Sequence, residues 1–274
     1  GPAMETEFRN ISKEKADEEA IKVFTDNLRQ LLLAPPLGEK RVLAIDPGYR
    51  TGCKIVCLDN QGKMIPELLE RLNAAVSMTE LEDLYLPYRP KRKTRASVAR
   101  EKGLEPLAEA IMKQELGNPG AEAEKYLNDE VESADDALQG ARDIIAEWIN
   151  EDETARKKIR KLFSKDAVVT SRLVKSKEEQ GAKYRDYFEW DESLSRCPSH
   201  RLLAMRRGEE EGFLRISIMP DETKAIELLN DIFVRADNES ADQILAAVKD
   251  SWKRLLGPAM ETEFRNISKE KADE

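Results

Sequence analysis

The sequence predicts a mainly α-helical protein: a multi-helical core with a small β-hairpin and one short additional strand. Three observations point there. Of 274 residues, 40% are hydrophobic and 36% charged while 6% are aromatic, the balance of charged helices rather than of an all-β fold. Apolar residues recur at spacings of three and four through most of the chain. Two runs, Arg41–Ile45 and Lys54–Leu58, read instead as strands joined by the turn-forming Asp46-Pro-Gly-Tyr-Arg-Thr-Gly52.

Taken in order, Ala20, Val23, Phe24, Leu28, Leu31 and Leu32 lay one apolar face along a helix over 16–33, which Pro35-Pro36 stops. The hairpin follows, closed after its second strand by Asp59-Asn-Gln-Gly62. Two strands alone are marginal in water, so the hairpin must lean on helices or on more sheet. Pro66 suits the first turn of a helix reaching Ala75, and Thr79-Glu-Leu-Glu82 is a capping box opening another. Helices recur over 104–114, 121–128, 134–150, 154–163 and about 168–180. Beyond Tyr184 the chain reads as irregular until Phe213–Met219, whose alternation predicts the extra strand. Helices over about 221–235 and 241–256 complete the unit, the second ending at Gly257-Pro258. The expected division is a helical segment 1–33, a hairpin 34–64, a helical core 65–256 and a terminal segment 257–274.

That terminal segment is a repeat. Residues 1–18 (GPAMETEFRNISKEKADE) recur letter for letter at 257–274. Solenoid repeats are several, contiguous and diverged; two identical copies at the extremes read instead as a circular permutation with an overlap. Identical segments have identical complementarity, so the copies should compete for one place in the fold. Phe8 and Ile11, equivalent to Phe264 and Ile267, are the expected anchors, and exchange between molecules would give a homo-oligomer.

No apolar run approaches the ~20 residues of a membrane helix and no basic-then-apolar leader opens the chain, so a cytoplasmic protein without membrane contact is expected. Cys53, Cys57 and Cys197 form neither an even disulfide set nor a zinc quartet, which suits a reducing compartment. Cys53 and Cys57 read as one apolar strand face. The single histidine, His200, removes mechanisms needing two, and it reads as a structural or hydrogen-bonding group at a helix start among Arg201, Arg206 and Arg207, which the acidic run Glu209–Glu211 should pair. No metal or cofactor is expected. Trp148, Trp190 and Trp252 read as core anchors rather than base-stacking platforms.

With a net charge of −9, contact with nucleic acid requires cations gathered on one face. The candidate is Tyr85–Arg100, where Arg89, Lys91, Arg92, Lys93, Arg95 and Arg100 alternate with prolines and tyrosines. Such a stretch can neutralise phosphates and release counterions. A solvated loop, or one paired within a chain of 54 acidic residues, is the competing reading.

The segment ELEDLYLPYRPKRKTRASVAREKGLEPLA (80–108) resembles bacterial transcription accessory proteins of the Tex family, as do GARDIIAEWINEDETARKKIR (140–160), YRDYFEWDESLSRCPSHRLLAMRRGEEEGFL (184–214) and AIKVFTDNLRQLLLAPPLGEKRVLAIDPGYRTGCK (20–54). The resemblance implies a helical core followed by a YqgF-type, ribonuclease-H-like domain, of which this chain carries the first hairpin ahead of the core, and separate helix-hairpin-helix and OB-fold modules that bind nucleic acid. It implies transcription machinery as partner and weak nucleic-acid binding by this part. Asp46 stands at the acidic position of ribonuclease-H-like strand one, but two-metal cleavage needs several converging carboxylates, and Asp46-Pro-Gly is also a good turn. A non-catalytic scaffold is therefore expected. A metal-dependent nuclease and an engineered permutant made for folding or assembly studies are the alternatives.

Overall fold

The computed structural model describes residues 15, 42–48, 52–59, 63, 66–75, 78–88, 93–175 and 177–273, in two compact units, 1–76 and 77–274. The expected helix over 16–33 lies outside the described residues, as does the first repeat copy apart from Lys15.

In the first unit, β1 (Val42–Gly48) and β2 (Gly52–Leu58) pair antiparallel from Val42↔Leu58 to Gly48↔Gly52. The Asp59 amide donates to the Lys63 carbonyl at 2.7 Å, and the Lys63 amide donates to Asp59 Oδ1 at 2.8 Å, closing the expected turn. Helix α1 (Pro66–Ala74) packs against β2, with Leu68 and Leu72 buried. This answers the hairpin's need for cover. It also moves the boundary between units from 64/65, as the sequence suggested, to 76/77.

The second unit begins with α2 (Met78–Tyr85), then α3 (Arg95–Glu101), α4 (Glu105–Lys113), α5 (Pro119–Ala123), α6 (Ala134–Glu151) and α7 (Glu153–Asp166). Ser133 and Asp152 cap the two long helices, each side-chain oxygen accepting an amide three residues on. The expected helix over 168–180 is instead strand β3 (Val168–Leu173), central in an antiparallel sheet between β4 (Glu189–Ser193) and β5 (Leu214–Met219). Val168, Val169 and Thr170 are β-branched, and burial alternates, with Val169 and Ser171 inside. The same sheet and α8 (Ser199–Glu210) bring order to the stretch after Tyr184 that reads as irregular.

Helices α9 (Glu222–Phe233) and α10 (Glu239–Ser251) follow, and a π-turn over Trp252–Leu256 leads into α11 (Gly257–Asp273). Gly257-Pro258 therefore does not end the helix. A π-turn carries one extra residue per turn, and it stands immediately before Gly257 and Pro258, whose missing amide and bulky ring would break an ordinary α-helix at that point.

One hydrophobic core joins these elements, with Leu107, Ile111, Ile144, Ile145, Ile159, Phe163 and Ile244 wholly buried. Each such side chain contributes about 1.5–3 kcal/mol. Trp252 is an anchor, 2% exposed, while Trp148 and Trp190 pack partly buried against the core.

Candidate nucleic-acid interface

Of the six cations singled out, Lys93, Arg95 and Arg100 are described; Arg89, Lys91 and Arg92 lie outside the described residues. Thr94 organises the local structure. Its hydroxyl accepts the Ser97 amide at 3.0 Å and the Ser97 hydroxyl accepts the Thr94 amide at 2.8 Å, so α3 starts there in a capping box. Ala96 and Ala99 then face α6, where Gly140 admits a close approach: a Cβ there would meet Leu104 Cδ1 at 2.4 Å.

That packing turns Arg100 inward. Its guanidinium donates to Glu147 at 2.6 Å and to Glu105 at 3.1 Å, and the Thr94 hydroxyl donates to Glu147 at 3.2 Å. Burial disfavours the Arg100 charge, but the bonds and charges of Glu147 and Glu105 outweigh it and raise its pKa. Arg100 thus balances a buried carboxylate. Lys93 and Arg95 stay exposed on the rim of a cleft of about 670 Å³ between α3 and α6. The cleft is mixed in charge. Lys102 donates to the Glu130 carbonyl at 2.8 Å, and Glu132, Asp136 and Asp143 complete an acidic wall. Burial raises the Asp143 carboxyl above its usual range, against the opposing pull of Arg254 and Arg95.

Sequence reading missed a second set of cations on α7. Ala155, Ile159 and Phe163 form its buried stripe. Arg156 and Arg160 flank that stripe and bind the buried Asp83, with Arg160 also bonded to Glu263 at 2.6 Å. Lys158, Lys161 and Lys165 fall on the opposite, exposed face, and no ion pair engages them among the described residues. Lys157 beside them pairs with Glu153 at 2.9 Å. The signal was present as spacings of three and four out of phase with the apolar stripe.

His200 is exposed on the first turn of α8. The expected pairing of Glu209–Glu211 with nearby arginines is not what forms. Arg201 binds Glu192 at 2.7 Å, Glu209 takes Arg265, and Glu211 takes Lys183. These carboxylates reach partners on other elements because consecutive helix residues point in different directions. Burial, with help from Glu192, pushes the Cys197 thiol up to about 11, which keeps it protonated and unreactive. Asp46 lies in β1 opposite Lys54.

Residues 114–274 match the family described as Tex central region-like, and residues 40–77 match the Tex protein YqgF-like domain. The chain belongs to the Tex family. It is 39% identical to Protein YhgF of Escherichia coli over 229 residues, which cover 79% of this chain and 30% of that protein. To Protein tex of Bordetella pertussis the identity is 44% over 163 residues, 59% of this chain and 21% of that one. Transcriptional accessory protein Tex of Neisseria gonorrhoeae is 36% identical over 222 residues, 79% of this chain and 29% of that protein. The chain thus spans less than a third of the length of these curated relatives. The central-region match covers the sheet, α8 and α11, and the YqgF-like match spans the hairpin and α1, ending where the two compact units divide. No helix among the described residues is long and apolar enough to cross a membrane.

Proposed function

We propose that this chain is a non-catalytic scaffold of a Tex-type transcription accessory factor that touches nucleic acid only through phosphates. The observation that carries this is the sorting of cations. Arg100, Arg156, Arg160, Arg254 and Arg265 are engaged by carboxylates, whereas Lys158, Lys161 and Lys165 line one exposed helix face and Lys93 and Arg95 another exposed stretch. Lysine rows of this kind neutralise phosphates without reading bases, which suits weak, salt-sensitive, sequence-tolerant contact. With a net charge of −9, affinity stays low, and such a protein works in the cytoplasm beside the transcription machinery. The chain also reads as rearranged within its family, because its YqgF-like match precedes the central-region match, the reverse of the order the resemblance implies; sequencing of the source locus decides that point.

A salt titration of binding to single-stranded RNA and duplex DNA tests the main reading. Replacing Lys158, Lys161 and Lys165 with Gln should lower the slope of log K against log salt by up to about 2–3 units. Replacing Lys91, Arg92 and Lys93 with Ala should act in the same direction. Unchanged slopes in both would remove the phosphate role, and Mg²⁺-dependent cleavage abolished by Asp46→Asn would replace the scaffold with a nuclease.

A further inference from the structure

Helix α11 is the second copy of the repeat, and its docking is specific. Met260 is wholly buried and Phe264 is 7% exposed, its ring 5.1 Å from that of Phe163 on α7. Glu261 accepts the Ile218 amide of β5 at 2.9 Å, and Glu263 takes Arg160 at 2.6 Å. Arg265 binds Glu209 of α8 at 2.8 Å and donates to the Ile216 carbonyl, while its own carbonyl accepts from Arg206. Ile267, the second expected anchor, is 44% exposed. It lines a shallow cleft beside Leu194 and Leu202, so one turn earlier Met260 shares the anchoring with Phe264.

Each of these contacts is made by a side chain or backbone group that residues 1–18 also possess, in the same order: Met4, Glu5, Glu7, Phe8 and Arg9. Lys15, the described residue of the first copy, is helical and exposed, as is its counterpart Lys271. We infer that the groove formed by α7, α8 and β5 is a docking site with two alternative occupants in one chain, and that residues 1–18 enter it when residues 257–274 leave. Every groove contact is duplicated, so what ranks the occupants is tethering. Residues 257–274 follow the π-turn directly and hold the groove by proximity. Residues 1–18 are tethered through residues 19–41, a stretch that reaches at most about 80 Å extended and about 50 Å with the expected helix formed. The second unit also begins beside the groove, where Asp83 of α2 shares Arg160 with Glu263.

The test uses full-length Phe264→Asp, Phe8→Asp and the double variant, followed by thermal melts, light scattering and hydrogen exchange with mass spectrometry. The substitution itself labels the copies, since their peptides now differ in mass. In Phe264→Asp, the Phe8-containing peptide should exchange about tenfold more slowly than in Phe8-intact chains whose groove is filled by residues 257–274. The peptide that carries the substitution should exchange freely, and the protein should stay monomeric and melt within about 4 °C of wild type. The double variant should melt well below both singles. Should Phe264→Asp not accumulate, Phe264→Ala, which leaves a cavity rather than a buried charge, gives the same readout. A Phe8 peptide unprotected in the Phe264 variants, or melts matching the double variant, overturns the inference; a stable dimer assigns the groove to a second molecule and overturns it as well.

Discussion

Arg100 and Glu147 stand 47 positions apart in sequence and meet at 2.6 Å, joining α3 to α6 at the point where the basic segment ends. Glu147 is nearly buried, its side chain 8% exposed against 27% for Arg100. Truncating the arginine leaves an uncompensated carboxylate, and that penalty exceeds the worth of the pair itself. Arg100→Ala should therefore cost about 2–3 kcal/mol in a urea melt. Arg100→Met with Glu147→Met should recover most of it, because no buried charge remains. A cost near zero for Arg100→Ala would return Arg100 to the solvent-facing set and to the phosphate reading.

That pair also marks the limit of what the sequence discloses. The helices with strong apolar period, 104–114, 134–150 and 221–235, stand within a few residues of where the structure has them. Val168–Leu173 does not, because its fate depends on β4 and β5 arriving from 17 and more residues away to pair with it. The family strings reveal kinship but not which arginine turns inward. Arg100 and Arg95 look alike as letters, and the buried carboxylates Glu147 and Asp83 that sort the cations come from other helices.

Acid should weaken the attachment of α11. Burial alone would raise the Glu209 carboxyl, but the hydrogen bond from Arg265, the Ile216 amide and the charges of Arg265 and Arg206 outweigh it, so its pKa falls below the usual value. A depressed carboxylate stabilises the fold above its unfolded pKa of about 4.3 and loses that contribution as pH falls through the folded value. Glu209→Gln should thus be destabilised at pH 7, and the gap to wild type should start to close as pH falls below about 4.3 and vanish only below the depressed folded value. A stability gap constant from pH 7 to pH 3 would mean that Glu209 contributes by packing alone.

Gln114 holds two helices by one amide. It sits at φ 58° after α4, donates to the Phe233 carbonyl at 2.8 Å, and accepts the Arg235 and Ala236 amides at 2.8 and 3.1 Å. Gln114→Ala orphans all three groups and should cost about 2–4 kcal/mol. Gln114→Gly loses the same bonds but relieves the left-handed backbone, so it should be milder by about 1 kcal/mol. Equal losses would show that backbone conformation there is unstrained.

The π-turn before α11 yields a prediction of sign. Exchanging Gly for Ala inside an ordinary helix stabilises by roughly 0.5–1 kcal/mol, since Gly has more freedom to lose. At Gly257 the amide donates to the Trp252 carbonyl five residues back, and a Cβ would lie 2.6 Å from that same carbonyl oxygen and 3.3 Å from Met219 Cε. The oxygen is backbone and cannot step aside, so Gly257→Ala should destabilise by about 1–3 kcal/mol instead. The need for the wide turn is traceable to Pro258, whose ring would strike the carbonyl four residues before it, that of Arg254, in a continuous α-helix. In Pro258→Ala the segment is free to close into regular α-helix, and Gly257→Ala made in that background should then lose its penalty. The two substitutions would be strongly non-additive, as neighbours sharing one backbone shift are. Additive melts, or a stabilising Gly257→Ala in the native background, would mean that the wide turn comes from the packing of Trp252 and Leu256 in the core rather than from the proline.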